Sequence, residues 1–147
     1  MNIIKVGRAD VNVINDILIH HIDRPDRKGD LPTLTHLQAL LDDNRSYLFA
    51  AVNEEFVVGY ALAYRFPSLY TSEYLAYLYD IEVSENHRRK GIGTLLIKTV
   101  LEHLRIDNVK ELWLGTGIGN QEGQALFSST GAVKSQEVFN DYTYYLS

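Results

Sequence analysis

Residues 88–94 read Arg88-Arg89-Lys90-Gly91-Ile92-Gly93-Thr94 and lie between an apolar run, Tyr74–Val83, and a helix-patterned run, Ile92–Arg105. This order predicts a strand, a basic turn that contains glycine, and the start of a helix. The first amides of a helix have no intrahelical partner, and the helix dipole places partial positive charge at the same end. Since glycine has no Cβ atom, a ligand can approach the main chain closely here. The stretch therefore predicts a site for an anion with several oxygens, such as a pyrophosphate.

Two familiar phosphate-binding loops do not fit this glycine spacing. A Walker A loop has lysine directly after its second glycine, whereas Lys90 precedes Gly91. A dinucleotide fingerprint needs a third glycine where Leu96 stands, and an acid at the end of the next strand, which Glu111 only begins. The pattern that remains is Arg-x-x-Gly-x-Gly after a strand, for which the simplest alternative is a tight turn without a ligand.

Size and composition favour one globular domain. The chain has 147 residues, of which 46% are hydrophobic and 22% charged, so we expect a single domain, residues 1–147, with a sizeable core. No apolar run approaches the ~20 residues of a membrane helix, and the N-terminal residues lack the layout of a signal peptide. We therefore expect a cytoplasmic protein with no membrane partner. The absence of cysteine excludes disulfides, thiolate metal sites and a cysteine nucleophile.

The charge balance bears on the partner. A net charge of −5 disfavours general binding of DNA or RNA, so no nucleic-acid partner is expected. An acidic protein suits a small substrate that is cationic or carries an amine. The basic cluster Arg88–Lys90 is a local exception, and the glycines beside it favour a bound phosphate over a solvated turn.

Hydrophobic periodicity predicts the element order β-α-α-β-β-β-α-β-α-β-β. This order indicates an α/β fold with a mixed twisted sheet, helices on both faces and a βαβ unit at its centre. The predicted helices cover Val11–Ile22, a segment from Thr33 or Thr35 through Leu41, Gly91 to Arg105, and Asn120 to Ser129. The predicted strands are Ile3–Val6, Ser46–Val52, Phe56–Phe66, Tyr74–Val83, Lys110–Leu114 and, as a final antiparallel pair, Ala132–Phe139 with Asp141–Leu146.

The segment Tyr79–Val83 with the loop Arg88–Gly93 resembles the strand and acetyl-CoA loop of the GNAT superfamily of N-acetyltransferases. Within the superfamily it is most similar to aminoglycoside 3-N-acetyltransferases of type I, as is the hairpin of Tyr47–Val52 with Val57–Leu62. The resemblance implies the GNAT fold and an acetyl-CoA-dependent transfer to a primary amine of a small cationic acceptor. It also implies a role in antibiotic resistance and the homodimer that many members form.

The resemblance further implies which residues bind acetyl-CoA. The strand before the loop would splay from its neighbour, and its backbone would bind the pantetheine arm. The loop amides would hold the pyrophosphate, and a later helix would line the CoA arm. The residues at these positions are Ile81, Glu82 and Val83 on the strand, Arg88, Arg89, Lys90, Gly91, Ile92, Gly93 and Thr94 in the loop, and Asn120, Ala125 and Phe127 on the later helix.

Two acids on the strand are candidates for the chemistry. A protonated amine cannot attack a thioester, so the reaction needs a base or a water chain. Asp80 and Glu82 are two residues apart on one strand, so both point to one face. Asp80 is the first candidate for base or amine anchor, against a purely structural ion pair, and Glu82 is the second. Backbone N–H groups near Val83 would polarise the thioester carbonyl.

Phe127 departs from the resemblance, because many relatives carry a tyrosine there whose hydroxyl protonates the leaving thiolate. Three hypotheses follow. Tyr142 or Tyr144 supplies the proton instead, the thiolate leaves unprotonated, or the chain is a non-catalytic acyl-CoA-binding or sensing module. A transferase acting on protein or peptide amines is a further alternative.

No metal site is expected. His20 and His21 lie near Asp23 and Asp26, but the chain has no His-Glu-x-x-His spacing. The loop from His20 to Leu31 is expected to border the acceptor instead.

Overall fold

Five strands form one sheet whose spatial order follows the chain; the structure, a computed structural model, describes residues 1–21 and 31–146. The first four strands pair antiparallel, whereas the fifth lies parallel to the fourth, so the prediction of a mixed sheet is confirmed. The strands are β1 (Asn2–Lys5), β2 (Ser46–Asn53), β3 (Phe56–Pro67), β4 (Tyr74–Val83) and β5 (Val109–Trp113).

The helices lie close to their predicted positions. They are α1 (Val11–Asp16), α2 (Leu34–Asp42), α3 (Ile92–Ile106) and α4 (Gln121–Ser129). The helix predicted over Val11–Ile22 changes to a π-helical turn at Ile17–His21, and Ile22 lies outside the described residues. Helix α2 begins after Thr33, whose Oγ1 accepts a hydrogen bond from the backbone N–H of His36 (3.2 Å), a typical N-cap.

Helices pack on both faces of the sheet, as predicted. Ala50 and Tyr60 belong to a buried cluster with Ile14 of α1 and Leu37 of α2, and we name this side the α1 face. Side chains alternate along a strand. The neighbouring Phe49 therefore points to the other side, which we name the α3 face, and its ring lies 4.8 Å from that of His103 in α3.

The unit β4-α3-β5 is the predicted βαβ crossover. Helix α3 buries one stripe of apolar side chains at Ile92, Leu96, Ile97, Val100 and Leu104. Its C-terminal end is tied to the sheet, because the hydroxyl of the fully buried Tyr47 donates a hydrogen bond to Asp107 Oδ2 (2.6 Å). Burial, together with this carboxylate, raises the pKa of Tyr47 above its ordinary value, so the phenol stays a donor.

Replacing Tyr47 by phenylalanine is expected to lower the free energy of unfolding by about 1–3 kcal/mol, because the Asp107 carboxylate loses a charge-assisted hydrogen bond while the ring is retained. Urea denaturation of the purified variant measures the change. Tyr70→Phe is the matched control, since Tyr70 is largely exposed. Equal denaturation midpoints for Tyr47→Phe and the unaltered protein would contradict this role.

The chain divides into two compact units, Met1–Gly115 and Thr116–Ser147. In the second unit, α4 ends at Ser129, and residues 132–146 form no helix or strand in the part of the chain that the structure describes. The predicted strand pair Ala132–Phe139 and Asp141–Leu146 is therefore wrong. Runs rich in valine and tyrosine favour β structure only where a neighbouring strand packs against them. Here the side chains of Val133, Val138, Tyr144 and Leu146 are 86–94% exposed.

Candidate functional site

Strand β4 extends beyond its pairing with β5. The parallel pairing covers Tyr74 to Tyr77 and ends with Tyr77 opposite Trp113, whereas β4 continues to Val83. On its other side, β4 stays paired with β3 as far as Val83, opposite Gly59. Within residues 1–21 and 31–146, no strand accompanies Leu78–Val83 on the β5 side. Ile81, Glu82 and Val83 lie in this stretch, because β5 ends at Trp113. That β4 splays from its neighbour, as the resemblance implies, stays a prediction.

A β-bulge lies at the beginning of the stretch Leu78–Val83. Leu62 pairs with Asp80 and Ala63 pairs with Leu78, so Tyr79 is one extra residue in β4. Bulges bend a strand, increase its twist and occur often beside active sites, where they redirect side chains. The bulge therefore sets the direction of Asp80 and of the residues after it.

Glycine at position 59 allows β3 and β4 to approach closely near the end of β4. A Cβ atom built there would lie 2.9 Å from the carbonyl oxygen of Glu82 and 3.3 Å from Leu96 Cδ1. The first contact is with backbone, so relief would require the strands to move. No role for Gly59 was predicted from the sequence, although an isolated glycine inside a strand pattern is a signal of close backbone approach.

Replacing Gly59 by alanine is expected to displace the backbone at Glu82, and so to weaken CoA binding about tenfold while leaving the fold intact. Calorimetric titration with CoA measures this effect. Ala61→Ser, which changes a neighbouring position of β3 by one atom, serves as the control for altering that strand. Wild-type CoA affinity in Gly59→Ala would show that CoA binding does not depend on the position of the Glu82 carbonyl.

The loop between β4 and α3 turns through two left-handed residues. After a short 3-10 turn at Glu85–His87, Arg89 has φ 62° and Gly91 has φ 81°. The Nε–H group of Arg88 donates to the carbonyl of Val83 (2.9 Å) and ties the loop to the end of β4. Alternation of left-handed and right-handed residues turns successive N–H groups toward one side and forms an anion-binding concavity.

Helix α3 presents its first amides to this loop. Gly91 is its N-cap residue, no side chain caps the end, and the first turn contains no acidic residue. The first intrahelical bond runs from the N–H of Leu95 to the carbonyl of Gly91 (3.0 Å), which leaves the amides of Ile92, Gly93 and Thr94 ahead of the helical ladder. Together with Arg89 and Lys90, these amides can bind an anion with several oxygens.

The two strand acids share the α1 face with a tyrosine that the sequence analysis missed. Glu82 pairs with Tyr60 and Asp80 pairs with Leu62, so the prediction that both acids point to one face is confirmed. The hydroxyl of Tyr60, which is 3% exposed, donates to Asp80 Oδ2 (2.6 Å). No sequence signal indicates this contact, because it depends on the strand register across 20 residues of chain.

The remaining predicted residues lie in the second unit. Asn120 caps α4: its Oδ1 accepts from the N–H of Gly123 and its Nδ2 donates to Thr116 Oγ1, each at 3.0 Å. Ala125 and Phe127 lie within α4, and Tyr142 is 88% exposed. The roles of Asn120, Ala125, Phe127 and Tyr142 toward CoA and its thiolate remain predictions.

Metal binding depends on how the described His, Asp and Glu side chains are grouped. Among residues 1–21 and 31–146, no group of three or more His, Asp or Glu side chains could hold a metal ion. His20 Nε2 lies 3.9 Å from Asp16 Oδ1. Residues 22–30 of the predicted acceptor loop, including Asp23 and Asp26, lie outside the described residues. None of the described helices has the length and apolar character needed to cross a membrane.

Comparison with known proteins places this geometry among acetyltransferases. The family model described as Acetyltransferase (GNAT) family matches residues 16–132. N-acetyltransferase 8 of Homo sapiens is 31% identical over 102 residues, which are 69% of this chain and 45% of that protein. The chain thus spans less than half the length of this relative.

Solved structures share the fold over nearly the whole chain. The aminoglycoside acetyltransferase meta-AAC0020 from an uncultured soil metagenomic sample, in complex with trehalose, is 25% identical with a TM-score of 0.82, covering 98% of this chain and 96% of that one. Aminoglycoside N-acetyltransferase AAC(6')-Iy in complex with CoA is 16% identical with a TM-score of 0.75, covering 97% and 99%. The predicted resemblance to aminoglycoside acetyltransferases is confirmed at this level.

Proposed function

The chain belongs to the acetyltransferase (GNAT) family, and from this premise we propose that it transfers the acetyl group of acetyl-CoA to a primary amine of a small cationic acceptor. The observation that carries the proposal is the uncapped start of α3, which is joined by a short basic loop to the half of β4 that extends beyond β5. A pyrophosphate and an extended, amide-bearing arm are the two parts of CoA that such a site suits.

The residues of the first unit fit the cosubstrate in two places. The amides of Ile92, Gly93 and Thr94 would bind the pyrophosphate oxygens, and the cations Arg89 and Lys90 would add attraction. The backbone of Ile81, Glu82 and Val83 would pair with the pantetheine arm on the side where β5 has ended, because pantetheine carries amide donors and acceptors.

Asp80 is the group we assign to the amine. A carboxylate has about four lone-pair sites, so Asp80 can accept from an ammonium while it accepts from Tyr60. The amine must lose a proton, attack the thioester carbonyl and form the amide bond as the carbon–sulfur bond breaks. Asp80 takes that proton directly or through water, with Glu82 as the second candidate. Backbone N–H groups near Val83 stabilise the oxyanion.

The leaving thiolate needs little help near neutral pH, because thiols have a pKa of about 8.5. Phe127, in the position at which relatives carry a tyrosine, has no proton to give. Tyr142 is our candidate donor.

The acidic chain, with a net charge of −5, supports a cationic acceptor. So does the likeness to an aminoglycoside acetyltransferase at 25% identity over nearly the whole chain. We propose that aminoglycosides are among the acceptors. We further propose that the acetyl group is transferred to their 3-amino group.

Release of CoA thiol, measured with purified protein and acetyl-CoA, tests the proposal. We expect release above the amine-free rate with aminoglycosides or polyamines, and slower release with peptide N-termini. If none of these amines accelerates release, the protein is not an amine acetyltransferase of this kind.

A second candidate is a non-catalytic module that binds acyl-CoA, and Phe127 is the observation that favours it. Tight binding of acetyl-CoA without turnover of any amine would support this alternative. Turnover with one amine would exclude it.

A further inference from the structure

Five aromatic side chains form a continuous group on β3, β4 and β5, which we name the aromatic surface. The ring of Trp113 lies 5.3 Å from that of Phe66 and 5.6 Å from that of Tyr77, and the rings of Tyr64 and Tyr79 lie 6.0 Å apart. Tyr64 pairs with Tyr77 in the β3–β4 register, which joins these contacts into one group.

The aromatic surface lies on the same side of the sheet as the two acids. Leu62, opposite Asp80, and Tyr64, opposite Tyr77, are two residues apart on β3, so they share the α1 face. Trp113 is the register partner of Tyr77 and shares that face with it. The aromatic surface and Asp80 are therefore neighbours on one face of the sheet.

Three rings of the aromatic surface are partly exposed. Tyr79 is 53% exposed, Trp113 41% and Phe66 37%, whereas Tyr60 on the same face, within the cluster under α1 and α2, is 3% exposed. A contiguous group of exposed apolar side chains can mark a ligand-binding surface. The faces of such rings attract cations.

The strand geometry sets the spacing between the two features. Asp80 and Tyr77 lie opposite Leu62 and Tyr64, which are two residues apart on β3. Two residues along a strand correspond to about 7 Å, and neighbouring strands lie about 4.8 Å apart. The backbone positions of Asp80 and Trp113 are therefore separated by about 8 Å, a distance that one molecule with two amines can span.

We infer that the aromatic surface binds a second cationic group of a polycationic acceptor whose reacting amine lies at Asp80. The inference rests on the proposed function and names its acceptor class: molecules with at least two amines, whether linear polyamines or amino sugars. The rings of Tyr79 and Trp113 would hold the distal ammonium by cation–π contact. A monoamine would lack this contact and bind more weakly.

Fluorescence of Trp113, the only tryptophan in the chain, tests binding without acetyl-CoA. We titrate linear diamines of increasing length and a monoamine of matched size. The expected result is a saturable change whose affinity rises with diamine length to an optimum, and is about tenfold stronger than for the monoamine. Equal affinities for monoamine and diamines, or no saturable change, would overturn the inference.

Tyr79→Leu is the variant that isolates the contact, because it removes one ring and retains Trp113. We expect diamine affinity to fall about fivefold in Tyr79→Leu and to stay at the wild-type value in Tyr79→Phe, which keeps a ring. Phe56 is an exposed ring at the opposite end of β3, so Phe56→Leu should leave the affinity unchanged. Unchanged thermal unfolding and CoA affinity verify that Tyr79→Leu is folded. Equal diamine affinity in Tyr79→Leu and the unaltered protein would contradict the inference.

The outcome separates this inference from the proposed function. Thiol release with amines whose kinetics do not respond to Tyr79→Leu would overturn the aromatic contact and leave the transferase intact. Diamine binding at Trp113 without thiol release would support the contact and overturn the transfer reaction. An aminoglycoside, titrated beside the linear diamines, shows which of the two acceptor types binds more tightly.

Discussion

Replacing Gly91 by valine is expected to weaken acetyl-CoA binding by about 10²- to 10⁴-fold. Gly91 has φ 81°, a left-handed conformation that costs an ordinary L residue roughly 1–2 kcal/mol and a β-branched residue more. The chain at position 91 would relax toward negative φ and rotate the amides at the start of α3. Loss of two charge-assisted hydrogen bonds to the pyrophosphate, each worth about 1.5–3 kcal/mol, gives the expected range.

Gly131→Val is the matched control for this variant. Gly131 also has a left-handed backbone, with φ 101°, and a Cβ atom at either glycine meets nothing within 4 Å. The two variants therefore carry the same kind of backbone strain, and only one of them alters the loop before α3. Calorimetric titration with acetyl-CoA measures the difference. Equal affinity in Gly91→Val and the unaltered protein would show that the pyrophosphate binds elsewhere.

The part of the site that the sequence predicts is local in the chain. Strand β4, the turn with Gly91 and helix α3 follow one another without interruption, and α3 keeps a helical period from Ile92 to Leu104. Uncapped amides at a helix start follow from helix geometry alone, so the prediction of an anion site needed no knowledge of the fold. The pairing of Asp80 and Glu82 on one face likewise follows from strand alternation.

The part that could not be predicted depends on strand register. Tyr60 contacts Asp80 because Leu62 pairs with Asp80, and the bulge at Tyr79 fixes which residues of β3 and β4 face each other. A single extra residue in one strand reverses the faces beyond it. The aromatic surface has the same origin, since Phe66 and Trp113 are brought together by two strand pairings rather than by proximity in the chain.

The wrong strand pair at 132–146 shows a different limit. Tyr142, Tyr144 and Leu146 stand at alternate positions, as in a strand, but a strand is stable only when a neighbour pairs with its backbone. Nothing in the composition of residues 132–146 says whether that neighbour is available. The π-helical turn at Ile17–His21 could not be predicted either. The apolar period indicates a helix but does not specify whether its hydrogen bonds are of the α or the π type.

Replacing Asp80 by asparagine is expected to lower kcat/KM for the amine by about 10²- to 10⁴-fold, the usual contribution of a positioned general base. The substitution keeps the shape of the side chain and an oxygen that can accept from the Tyr60 hydroxyl, so only the charge is removed. A base contributes to the chemical step, whereas an anchor contributes to binding of the amine. If Asp80 is the base, kcat falls at saturating amine, and if it is an anchor, KM rises while kcat is retained.

Glu82→Gln is the matched control, because Glu82 lies on the same face of β4 and is the second candidate for the same task. We expect it to lower kcat/KM by less than tenfold, on the order of the effect of one nearby charge. Steady-state thiol release with one amine, measured for both variants and for the unaltered protein, separates kcat from KM. A larger loss in Glu82→Gln than in Asp80→Asn would transfer the role to Glu82. Wild-type kinetics in Asp80→Asn would leave its contact with Tyr60 as a structural one.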